Sequence, residues 1–245
     1  MSIDEFMQEI VRNFLVKDLY RIEKTAEGEP VNLKNSFDAY ENMHHLSIKS
    51  FKKNLAADWT LIELDGIKEN IHQCFISTAT SIKEIWHKNY PCNILYTNAD
   101  TLCVHKLDIF GHFDEFRMFT EDDPLVFEEN TTEWHKKNAN AGVRYYPSSL
   151  DTEFWNNYDA ALKNWNFGNF NYDQDAANDI MLKQKNFDWQ KKQGWIAKQI
   201  GAQHYKMITE LNNTKFDQAI LHFHGSQNPN FRLECMQTLW RKLND

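Results

Sequence analysis

Three short strand-like stretches, at residues 15–22, 59–64 and 92–96, are separated by two amphipathic stretches. That alternation constrains the fold more than any other feature of the chain. In the first amphipathic stretch Phe37, Tyr40, Met43, Ile48, Phe51 and Leu55 share one face at about 100° per residue. In the second, Ile76, Ala79, Ile82 and Trp86 do the same. Strand, helix, strand, helix, strand implies an α/β fold, a parallel sheet covered by its crossover helices. Ligands of such sheets sit beyond the carboxyl ends of the strands. Asn98, Ala99 and Asp100 follow the third run directly and so occupy that edge.

The rest of the chain is less regular. Ile3, Phe6, Ile10 and Phe14 lie at helical spacing and predict a helix over residues 3–14. Gly28, Pro30, Asn32, Asn35 and Ser36 predict a loop over 26–36. Residues 143–146 read as a strand. Leu150, Phe154, Tyr158, Leu162 and Trp165 form a helical stripe with Ser148 or Ser149 as its cap. Residues 168–172 read as a loop, and a helix starting near Asp173 carries Ala176, Ile180 and Met181 inward. Residues 183–215 are polar and rich in Lys, Gln and Asn. A strand over 219–223 and a closing helix over the last fifteen residues complete the reading.

A chain of 245 residues suits one large domain or two small ones. Its hydrophobic fraction of 42% fills an ordinary core without staples. Basic residues number 27 against 35 acidic, a net charge of −8, which disfavours general nucleic-acid binding. A local phosphate site must then draw positive charge from a metal, a few basic side chains or backbone N–H groups. Cys74, Cys92, Cys103 and Cys235 form no C-x-x-C pair, so they read as reduced, buried thiols rather than a zinc site. Asp4, Glu5 and Glu9 precede any apolar stretch, and no run approaches the roughly 20 residues that span a bilayer. These features predict a soluble, cytoplasmic protein with no membrane span.

Four segments carry candidate chemistry. Asn98-Ala99-Asp100 offers oxygen ligands two residues apart on the turn leaving a strand, a pattern that suits a hard divalent cation or a turn bonding its own backbone. Asn138-Ala139-Asn140-Ala141-Gly142-Val143 combines amides with a glycine that allows close approach, and a plain turn explains it equally well. Asp173-Gln174-Asp175-Ala176-Ala177-Asn178 puts carboxylates and amides at a helix start, around a reacting carbon or as caps on the helix dipole. His222, leaving an apolar strand ahead of His224 and Gly225, suits a metal ligand or a structural histidine.

In this order and spacing, the four segments resemble glycosyltransferase family 8 of the nucleotide-diphospho-sugar transferases. That family shows D-x-D after a strand, then N-x-G-V, D-Q-D-x-x-N and H-F-x-G-x-x-K-P-W. The resemblance spans roughly residues 90–230, with Leu107, Asp108, Phe110 and Phe116 also matching. It implies the GT-A fold, a Rossmann-like mixed, mostly parallel sheet flanked by helices. It implies one domain over 1–245, with a nucleotide-binding half to residue 100 and a donor-sugar and acceptor half after it. Asn98, Asp100 and His222 would hold Mn²⁺ or Mg²⁺. Asn140 and Gly142 would contact the donor sugar, Asp175 its hydroxyls, and Gly225 the diphosphate. Asp173 and Gln174 would lie beside the anomeric carbon as the catalytic pair. The donor would be a nucleotide-diphosphate sugar, most simply a UDP-sugar, transferred with retention to a glycan, protein or small-molecule acceptor. Three positions depart from the pattern: Asn98 stands for an aspartate, Asn228 for a lysine and Asn230 for a tryptophan.

Two other readings compete. A non-catalytic GT-A-like domain would bind a nucleotide sugar or glycan and tolerate Asn98 and Asn228. A nucleotidyltransferase would need a basic, glycine-rich loop near the first strand, where Ala26-Glu27-Gly28-Glu29 is acidic.

Overall fold

The computed structural model describes residues 10–24, 33–121, 139–164, 172–182, 197–201, 205, 208, 216–223 and 228–245. Its elements are β1 (Arg12–Ile22), α1 (Leu33–Asn54), β2 (Thr60–Lys68), α2 (Ile71–Asn89), β3 (Cys92–Thr97), β4 (Thr101–Cys103) and β5 (Arg117–Glu121). There follow β6 (Ala139–Tyr146), α3 (Thr152–Asn164), α4 (Tyr172–Leu182), β7 (Ala197–Ile200), β8 (Ile220–Phe223) and α5 (Pro229–Asn244).

Among the described residues eight strands make one sheet in the order β2-β1-β3-β6-β5-β7-β8-β4. Strand β1 pairs in parallel with β2 on one side and β3 on the other, as the alternation of the first hundred residues requires. Strand β6 runs antiparallel between β3 and β5, and β7 returns to parallel pairing with both β5 and β8. The sheet is mixed and mostly parallel, flanked by helices on both faces.

Side-chain alternation divides the core. Phe14 and Val16 of β1, with Ile94 and Tyr96 of β3, pack with α2, α3 and α4 around Trp86, Trp155 and Tyr158. Leu15 and Leu95 point the other way, onto Phe51 of α1. Helix α5 closes that second face, where Cys235, Met236 and Leu239 meet Met43 of α1 and Leu221 of β8. Trp86 satisfies its indole N–H on the Pro147 carbonyl at 3.1 Å, and Trp155 stacks on Tyr146 at 5.6 Å.

Several expectations are corrected. Residues 12–14 belong to β1 and not to a helix over 3–14, because Phe14 and Leu15 alternate onto opposite faces of the sheet; residues 1–9 lie outside the described residues. Helix α1 starts at Leu33, inside the loop expected over 26–36. Helix α3 is capped by neither Ser148 nor Ser149: the Asp151 carboxylate accepts from the Phe154 N–H at 2.7 Å, the usual N-cap bond to the third helical residue. Tyr172 opens α4 rather than ending a loop. The polar stretch 183–215 supplies a strand, β7, from Ala197.

Candidate functional site

Strand β3 ends at Thr97, and the chain turns through Asn98, Ala99 and Asp100 into β4. Two neighbours fasten the turn. The Asn98 N–H donates to the Gly142 carbonyl of β6 at 2.9 Å, and the Phe223 N–H of β8 donates to the Asp100 carbonyl at 2.8 Å. Beneath it lies Lys17, fully buried in the middle of β1. Its ammonium donates to Thr97 Oγ1 at 2.6 Å and to the Asn98 carbonyl at 2.9 Å. Burial pulls the Lys17 pKa down to about 7 against the opposing pull of Asp18 and Asp100. A charged side chain at so buried a position is tolerated because these carbonyl and hydroxyl oxygens replace its water.

The carboxylate of Asp100 is buried and holds two partners. Oδ1 lies 3.2 Å from Nε2 of His222, and Oδ2 accepts from Arg232 at 2.7 Å. Arg232 comes from the first turn of α5, and its other terminal nitrogen donates to the Tyr40 hydroxyl of α1. The Arg232 pKa is raised: burial pulls it down, but the Asp100 carboxylate and Tyr40 more than offset that.

Asn98 lies between two sets of partners. Its Oδ1 accepts from the Tyr96 hydroxyl at 2.8 Å, while its amide nitrogen faces His222 Nε2 at 3.4 Å. Tyr96 is also 2.9 Å from Asp18 Oδ2. One hydroxyl has one proton for these two oxygens. Burial raises the Asp18 pKa, against the hydrogen bonds from Thr78 and Tyr96 that lower it.

Strand β6 supplies the second wall. A Cβ added to Gly142 would stand 2.4 Å from Cε1 of His222, so the absent side chain is what admits the imidazole. Asn140 Oδ1 accepts from the Gly142 N–H at 2.8 Å, and Gln174 Oε1 accepts from the Ala141 N–H at 3.1 Å. Gln174, buried at the start of α4, thus lies against β6, and Asp175 beside it in the chain is buried too. Arg144 packs its guanidinium 4.7 Å from the Tyr96 ring centroid and ties Ala141 to Tyr158. The side chain of Asp173, and Gly225 altogether, lie outside the described residues.

A cleft of about 390 Å³ opens beside the turn. Its floor is the carboxyl end of β1 from Asp18 to Ile22; its walls are Phe37 and Tyr40 of α1 and Ile71, Cys74 and Phe75 of α2. Asn98, Asp100 and Arg232 stand at one end. The volume and the mostly apolar lining, with a few convergent polar groups, suit a small organic ligand.

Asp100 and His222 therefore come together, with Asn98 beside them, while Gly142 supports the imidazole. Sequence reasoning passed over Arg232, Tyr40, Lys17 and Asp18. Two signals were present. Arg232 is a cation in the first turn of a helix, where the dipole favours anions, and Lys17 directly follows the apolar run Phe14-Leu15-Val16.

As to a metal, Asp100 Oδ1 and His222 Nε2 have about the spacing of adjacent ligands of one ion, since bonds of about 2.1 Å at right angles end about 3 Å apart. Among the described residues no group of three or more His, Cys, Asp or Glu side chains could hold a metal ion. Asp100 and His222 are thus the facing pair of the three expected ligands, while Asn98 turns its Oδ1 to Tyr96 and its amide nitrogen to His222.

The sheet order, the helices on both faces and the cleft at the carboxyl edge define a GT-A fold. A solved structure shares it: the crystal structure of a glycosyltransferase involved in the glycosylation of the major capsid of PBCV-1 superposes with a TM-score of 0.52 at 11% identity, over 92% of this chain and 98% of that one. No protein-family model and no curated protein sequence matches the chain. Among the described residues no helix is long and apolar enough to cross a membrane.

Proposed function

We propose that the chain is a glycosyltransferase that moves a sugar from a nucleoside-diphosphate donor to an acceptor hydroxyl. One observation carries the reading: an apolar cleft at the carboxyl edge of β1 and β3 ends on Asp100 and Arg232, with His222 against Asp100. A nucleoside fits the apolar part of such a cleft, and its diphosphate reaches the charged end. The fold shared with a glycosyltransferase supports the same assignment, and the order of the four sequence segments supports family 8, a UDP-sugar and retention.

Asn98, Asp100 and His222 would hold Mn²⁺ or Mg²⁺ together with the donor's phosphate oxygens. Such an ion, when bound, acts as a Lewis acid toward the leaving diphosphate. In the step itself the bond from anomeric carbon to diphosphate oxygen breaks, and its electron pair stays on that oxygen. The acceptor hydroxyl oxygen forms the new bond from the same face and gives its proton to the departing phosphate oxygen. Gln174 is a carboxamide anchored on β6, so its part is to position the sugar while Asp173, Asn140 and Asp175 bind or orient it. Four free, buried cysteines support a reducing, cytoplasmic setting.

Hydrolysis of UDP-sugars with Mn²⁺ present tests the reading without knowledge of the acceptor. Turnover that falls at least about tenfold in both Asp173→Asn and Gln174→Ala is expected. Donor binding without turnover by the parent chain would favour the non-catalytic binding domain instead.

A further inference from the structure

Arg232 is an unusual residue for its place. A cation in the first turn of α5 opposes the helix dipole, and its guanidinium is buried rather than exposed to water. Of the five N–H donors an arginine carries, the bonds to Asp100 and Tyr40 use two. Its Nε–H is buried with no acceptor among the described residues. The side chain also borders the cleft alongside Asn98 and Asp100, where a phosphate must lie if a nucleotide fills the cleft. Asn228, standing where the sequence pattern has a lysine, is occupied as the N-cap of α5 and bonds the Asn230 N–H.

We propose that Arg232 is a direct ligand of the donor diphosphate, so that this chain binds a nucleoside diphosphate before any metal ion enters. The proposal rests on the transferase reading and adds to it the group that meets the phosphates. Charge supports it. Here Asp100 and Arg232 sum to zero, with Asn98 and Asn228 neutral, so two phosphate charges meet no net repulsion. The planar guanidinium fork matches paired phosphate oxygens, which a lysine meets only as a point charge. Arg232 also stands ready for the charge that grows on the diphosphate as the sugar leaves. Its bond to Asp100 keeps it in place while the cleft is empty.

The test is calorimetric titration of UDP and of inorganic pyrophosphate into the full chain, first with EDTA and then with Mn²⁺. The parent, Arg232→Met and Arg232→Lys are compared. Both anions are expected to bind the parent in EDTA. Affinity should fall about 10- to 100-fold in Arg232→Met, the range for losing a hydrogen bond to a charged group. Arg232→Lys should fall by less. Uridine, which has no phosphate, should bind parent and variants alike, followed by saturation-transfer NMR. If Arg232→Met does not fold, Arg232→Lys carries the test, and unchanged UDP affinity in it overturns the proposal. So does UDP binding by the parent that requires Mn²⁺, or equal UDP affinity in the parent and Arg232→Met. In those cases the transferase reading stands. Pyrophosphate binding through Arg232 with no binding of UDP or uridine, with or without Mn²⁺, sinks the nucleotide reading and keeps the anion site. A parent that binds none of the three sinks both.

Discussion

Replacing Gly142 by alanine tests how the two strands that frame the site depend on each other. The new Cβ would stand 2.4, 2.6 and 2.7 Å from Cε1, Nδ1 and Nε2 of His222. All three are well inside van der Waals contact. The imidazole is buried, so it has little room to yield. Overpacking of this kind costs about 1–3 kcal/mol. At this chain length each kcal/mol lowers Tm by about 2–4 °C, so a fall of about 2–12 °C is expected. The ring must also move off Asp100, now 3.2 Å away, and Mn²⁺ affinity should drop with it. A double-mutant cycle isolates the cause. In a His222→Ala background those three contacts are gone, and the cycle should return a coupling of about 1–3 kcal/mol. Thermal unfolding of the four proteins measures it. A Gly142→Ala protein that melts with the parent, or effects that simply add, would refute the close packing of β6 on His222.

Lys17→Met should reveal the cost of the buried ammonium through pH. The folded pKa near 7 lies below the 10.5 of the unfolded chain, so between these values the unfolded state binds the extra proton and stability rises with pH. Relative to Lys17→Met, the parent should gain up to about 1.4 kcal/mol per pH unit between pH 7 and 9, read by urea unfolding; a flat difference contradicts the burial argument. Asn98→Asp places a carboxylate beside His222 and should tighten Mn²⁺ binding measured by calorimetry without donor, whereas equal or weaker binding would mean that position 98 does not face the metal. Asn228→Ala removes the cap on Asn230 and should cost about 1 kcal/mol with UDP affinity unchanged. Loss of UDP binding at an unaltered Tm would instead make Asn228 a ligand.

The legible parts of this fold were those with a period long enough to count. Helices α1 and α2 declared themselves by stripes of four to six apolar residues. Strand β3 stood out as a short apolar run after Pro91. The start of β1 did not, because a strand buried on both faces shows no alternation, and Phe14 happened to continue a helical spacing from Ile10. Strands β4, β5 and β7, three to five residues each, are too short for periodicity to register. Asp100 and His222 were readable because each sits in an ordered motif. Arg232 reaches Asp100 across 132 positions, and Lys17 reaches Asn98 across 81. Such partnerships are created by strand order, which local pattern does not encode.

The placement of β4 has a consequence for how the site behaves in time. Strands β3 and β4 are consecutive in the chain, joined by residues 98–100 alone, yet they stand third and last in the sheet order. Following hydrogen-bonded neighbours from β3 through β6, β5, β7 and β8 to β4, and returning along the backbone through Asn98 to Asp100, traces a closed circuit. The candidate site is the covalent clasp of that circuit. A clasp of this sort opens only when a ladder parts somewhere along the loop, so its fluctuations are tied to those of the sheet. Amide hydrogen exchange at Phe223, whose N–H bonds the Asp100 carbonyl, should therefore be governed by global unfolding rather than by local fraying.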